Sequence, residues 1–75
     1  MSHYDAFMSF ARHDARFIDM YRTHCETVID EPELFDDFLG QCHCRYAIGY
    51  RSGLMNAIHL SDDDCDYLYE YCQSL

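Results

Sequence analysis

The single proline, Pro32, divides this chain more sharply than any other residue. Proline is accepted in the first turn of a helix and breaks a helix interior, so one helix ends near Ile29 and another starts near Pro32. Upstream, Phe7, Ala11, Ile18, Tyr21, Cys25 and Val28 recur at spacings of three, four and seven, with Phe10 and Phe17 widening the stripe. That spacing predicts one helix over residues 3–29, with Ser2 and Asp5 in capping-box positions. Asp14 falls inside the stripe, where an acid is expected at the edge, paired with a nearby arginine.

Downstream, the stretch from Glu33 to Leu60 predicts a second long helix, with Gly40 and Gly49 as the places where it would joint. Gly49, Gly53 and Ala57 lie four apart, forming a ridge of small residues over which another helix can approach closely, within the fold or across a dimer seam. Ser61 and the aspartates after it mark a helix start, and the last helix is expected over residues 62–73. Cys65, Leu68 and Cys72 share its inner face, and Tyr67 and Tyr71 form a row beside it.

These elements imply an all-α fold in one domain, residues 1–75: a helical hairpin of two long antiparallel helices plus a short C-terminal helix, a three-helix bundle. Each long helix would run ~40 Å at about 1.5 Å per residue, and the short one covers about half of that. A second copy is the simplest cover for the remainder, so a homodimer is expected. A jointed second helix that folds back into a compact monomer is the alternative.

Fourteen acids against five bases, all arginine, give a formal charge of −9. Such a charge repels phosphates and anionic membranes, which argues against direct nucleic-acid or lipid binding and favours a protein partner with a basic or apolar surface. The N-terminal MSHYDAF has neither the basic start nor the apolar run of a signal peptide, so a cytoplasmic setting with reduced thiols is expected. No apolar run approaches the roughly 20 residues that span a bilayer.

The carboxylates gather in two groups. Glu26, Asp30, Glu31, Glu33, Asp36 and Asp37 surround the first turn; Asp62, Asp63, Asp64 and Asp66, with Glu70 beyond, surround the second. In an antiparallel hairpin these groups form acidic poles for partner binding, with the arginines at the waist between them. Cys42-His43-Cys44 offers metal-ligand types, but helix positions two apart diverge by about 200°, and a structural zinc site wants four convergent ligands. The aspartates from Asp62 echo a calcium loop, but Tyr67 stands where glycine is needed and Gln73 where glutamate is needed. His13 and His24, eleven apart, would share a helix face, and the histidines are read as solvated. No nucleophile turn or oxyanion-donor loop accompanies the thiols and imidazoles, so no enzyme activity and no cofactor are expected.

The resulting expectation is a small acidic interaction module that binds and inhibits or modulates a protein partner, alike in composition to bacterial or phage accessory proteins. Nucleic-acid mimicry is one alternative, and a thiol- or metal-responsive protein is another.

Overall fold

The computed structural model of the chain describes residues 2–28, 30–48, 58 and 60–75. Four helices are present among them: α1 (His3–Ala11), α2 (Ala15–Thr27), α3 (Phe35–Ile48) and α4 (Asp62–Gln73). No strand occurs among the described residues, so the all-α expectation holds. None of the described helices is long and apolar enough to cross a membrane.

The helix expected over residues 3–29 is two helices. Ser2 starts the first as expected, its hydroxyl accepting the Asp5 N–H at 3.1 Å. The break at Arg12–Asp14 comes from the residue that misfits the apolar stripe. Asp14 is extended, and its Oδ1 accepts the N–H groups of Arg16 and Phe17 at 2.9 and 3.1 Å. A short polar side chain that satisfies the first free amides of a helix is an N-cap, and it stabilises a helix start by ~1 kcal/mol.

Packing shows why the break matters. Phe7 and Phe17 meet edge to face with ring centroids 5.4 Å apart. On one continuous helix, residues ten apart would be separated by ~15 Å along the axis. Only a corner brings them together, and both rings are fully buried. The same corner leaves Phe10 and Ile18, expected on the inner stripe, 59% and 38% exposed. It also separates His13, which lies in the break, from His24 on α2.

The second long helix begins two residues later than expected and continues through Gly40. Ile58 and Leu60 are not helical, so the helix does not reach Leu60. The Gly49, Gly53 and Ala57 ridge, with the joint expected at Gly49, lies outside the described residues. Leu34, just before α3, is 74% exposed. The last helix matches its expected span, and Ser61 caps it by accepting the Asp64 N–H at 3.1 Å.

With the first helix broken, no axis approaches ~40 Å; the whole molecule measures 35 × 27 × 20 Å. Each of the other three helices packs against α3. Phe7 and Ala11 of α1, Phe17 and Met20 of α2, Phe38, Leu39 and Cys42 of α3, and Leu68 and Cys72 of α4 close one core. Burying each large side chain contributes ~1.5–3 kcal/mol, which makes this shared centre the main source of stability in so short a chain.

The segment between α2 and α3 is held by polar contacts. Tyr21 donates its hydroxyl proton to the Glu33 carbonyl at 2.6 Å, and the Thr27 hydroxyl donates to the His24 carbonyl at 2.8 Å. His24, read from the sequence as solvated, is fully buried, and its Nε2 hydrogen-bonds to the Glu33 carboxylate. Phe38 covers the imidazole with ring centroids 5.1 Å apart.

Candidate interaction groove

The face of α3 turned away from the core carries Asp36, Asp37, Gly40, Gln41 and Cys44, and Glu33 extends this face before the helix begins. These positions are three or four apart, the spacing of one helical stripe. Phe35, Phe38, Leu39 and Cys42 take the opposite stripe into the core. Tyr4 of α1, 46% exposed, walls the outer stripe, and together these residues line a groove of about 540 Å³.

The two ends of the groove differ. Glu33, Asp36 and Asp37 make one end acidic, and the last two lie in the first turn of α3, where the helix dipole favours negative charge. At the other end Gly40 leaves the helix backbone bare. A Cβ there would meet only the Tyr4 hydroxyl, at 3.6 Å, so the floor is open to an approaching group. Beside it, Gln41 Oε1 is buried with no hydrogen-bond partner among the described residues.

Several carboxylates of the two acidic groups are already engaged. Glu33 binds His24. Asp36 takes a forked pair of hydrogen bonds from Arg12, Nε to Oδ1 at 3.0 Å and a terminal nitrogen to Oδ2 at 3.2 Å. Both partners are about half exposed, so this pair contributes no more than ~1 kcal/mol. Glu26, Asp30, Glu31 and Asp37 are exposed.

In the second group, Asp62, Asp63 and Asp66 are exposed and Asp64 is half-buried. Arg16 donates to Asp64 Oδ1 at 3.5 Å and to the Asp63 carbonyl at 3.3 Å, while its guanidinium lies 4.5 Å from the centre of the Tyr67 ring. Arg12 and Arg16 therefore bind one member of each acidic group at the α1–α2 corner, where the sequence suggests an arginine waist standing apart from both.

The thiols divide by burial. Cys42, Cys65 and Cys72 are buried, Cys25 is half-buried and Cys44 is exposed. Burial pushes the Cys42 thiol up to about 12 and the Cys72 thiol up to about 11, so neither is a ready thiolate. Cys42 and Cys44 face opposite ways, as their two-residue spacing requires. Among the described residues no three His, Cys, Asp or Glu side chains converge to hold a metal ion.

Sequence reasoning places the carboxylates but not the groove. The three- and four-residue spacing from Glu33 to Cys44 carries a signal of a shared face; Tyr4 as its wall carries none, because that contact depends on the corner at Asp14. No family model matches the chain, and no curated protein or solved structure is significantly similar to it.

Proposed function

We propose that the chain is a small, non-enzymatic interaction module whose α3 groove takes a lysine- or arginine-bearing segment of a protein partner and so inhibits or modulates it. The observation that carries this reading is the joining of an acidic end (Glu33, Asp36 and Asp37) to a bare helix backbone at Gly40 beneath Tyr4. A basic side chain finds the exposed Asp37 carboxylate at one end, beside Glu33 and Asp36 already engaged by His24 and Arg12, and an apolar stem or helix backbone finds space at the other. Nucleic-acid mimicry has less support. A duplex carries a charge about every 1.7 Å along its axis, whereas Asp36 and Asp64 here are neutralised by Arg12 and Arg16.

The test is comparative affinity capture from the source cells with three baits: the native chain, an Asp37→Lys/Gly40→Leu variant that blocks the groove, and an Asp66→Lys control on α4. The expected outcome is a partner retained by the native chain and the control but lost from the groove variant, with retention weakening as salt is raised. Equal retention by all three baits, or no retained partner, overturns the reading. Dimerisation belongs to the same proposal, supported by the exposed apolar side chains Phe10, Leu34 and Ile48, and sedimentation equilibrium tests it.

A further inference from the structure

A second feature lies outside the groove and does not depend on it. His3, at the start of α1, uses both ring nitrogens: Nε2 lies 2.8 Å from the Cys72 carbonyl oxygen near the end of α4, and Nδ1 lies 2.8 Å from His43 Nε2 on α3. We propose that these three groups form a proton-operated latch that holds the first turn of α1 against α3 and α4, and that acid opens it.

A carbonyl oxygen only accepts, so His3 Nε2 carries a hydrogen. One further proton then lies between His3 Nδ1 and His43 Nε2. With both rings neutral it belongs to His43 Nε2 and is donated to His3 Nδ1. With one ring charged, a charged His3 donates from Nδ1 to His43 Nε2, and a charged His43 still donates from Nε2 to His3 Nδ1. Both states keep the contact. When both rings are charged, two N–H groups face each other across 2.8 Å, and the link cannot persist.

Among the described residues packed around the two rings, the second charge meets aromatic faces and no hydrogen-bonded carboxylate. On α1, Tyr4 presents its ring edge-on to His43 at 5.3 Å and Phe7 lies 5.3 Å away. On α3, Tyr46 stacks on His3 at 5.6 Å, and on α4 Tyr69 packs edge-on against Tyr46 at 5.3 Å. The thiol of Cys72 is buried and neutral. Asp5 on α1 and Glu70 on α4 are exposed, and neither is hydrogen-bonded to either imidazole. His43 is held below the ordinary histidine value by burial and then by His3.

The test is a titration of the full native chain from pH 8 to 4, following the imidazole nitrogens by NMR and the amide exchange of residues 4–7. Two coupled steps are expected, the second proton binding at least tenfold more weakly than the first. Exchange in the first turn of α1, corrected for the intrinsic pH dependence, should rise at least tenfold across the second step, while Met20 and Leu39 keep their protection. His3→Gln supplies a donor for the Cys72 carbonyl and an acceptor for His43, so this variant should fold and show a single step at His43. Independent titration of the two rings overturns the latch, as does corrected exchange at residues 4–7 that stays flat from pH 8 to 4.

Discussion

The Tyr67 hydroxyl donates to Asp14 Oδ2 at 2.7 Å across 53 residues of sequence, while Asp14 Oδ1 caps α2. One carboxylate thus sets the corner between α1 and α2 and anchors α4 to it. Asp14→Ala removes the cap, worth ~1 kcal/mol, and a hydrogen bond to a charged acceptor, worth ~1.5–3 kcal/mol. A loss of about 2.5–4 kcal/mol in urea denaturation is expected. Asp14→Asn retains one acceptor oxygen and should recover about half of that. A loss below about 0.5 kcal/mol from Asp14→Ala would show that the corner is fixed by the packing of Phe7 on Phe17 instead.

Alkaline stability should report the same contact. Burial, and then the bond to Asp14, push the Tyr67 phenol up to about 12 from its ordinary 10.0. The protonated phenol is therefore favoured in the folded chain. Its contribution is complete below about pH 10 and is lost as pH rises towards 12. Tyr71 is shifted in the same direction, chiefly by burial, and adds to the decline. Denaturation midpoints measured from pH 9 to 12 should fall for the native chain and fall less steeply for Tyr67→Phe. Parallel curves would remove Tyr67 as a cause.

Gly40→Ala should stabilise the chain. Glycine inside a helix costs ~0.5–1 kcal/mol relative to alanine, and the added methyl would make only ordinary contact with the Tyr4 hydroxyl at 3.6 Å. A thermal midpoint raised by several degrees is expected for a domain of this size. A lowered midpoint would mean that Tyr4 packs down onto the helix backbone more tightly than that distance implies.

Alkylation should sort the five cysteines by exposure. Cys44 should react first with iodoacetamide at pH 8, and Cys25, half-buried on α2, more slowly. Cys42, Cys65 and Cys72 should be labelled only when the chain unfolds, as peptide mapping at increasing urea would record. Rapid labelling of Cys42 in the native chain would contradict the closed core.

The sequence was most legible where one local rule acted alone. Ser61 and its aspartates marked the start of α4, and the three- and four-residue spacing of Cys65, Leu68 and Cys72 marked its buried face. Legibility failed where a side chain served a distant partner. Asp14 read as a flaw in one long stripe, because the apolar spacing resumes three residues later and conceals the corner. An Asp just ahead of Ala15 and Phe17 is an N-cap signal in hindsight. The spacing of the histidines carries no sign that His24 is buried, because Glu33, which accepts from it, belongs to the segment beyond α2. Periodicity carries no information about contacts of that kind, and it could not bring His3 to His43 across 40 positions.

The α1–α2 corner also changes how so acidic a chain tolerates its own charge. Arg12 and Arg16 sit either side of Asp14 and reach towards the opening turns of α3 and α4, where like charges crowd most closely. The bend acts as a built-in counter-ion, doing with covalently tethered guanidinium groups what dissolved cations would otherwise have to do. Compaction of this polyanion is thereby less dependent on the ionic medium than its formal charge suggests.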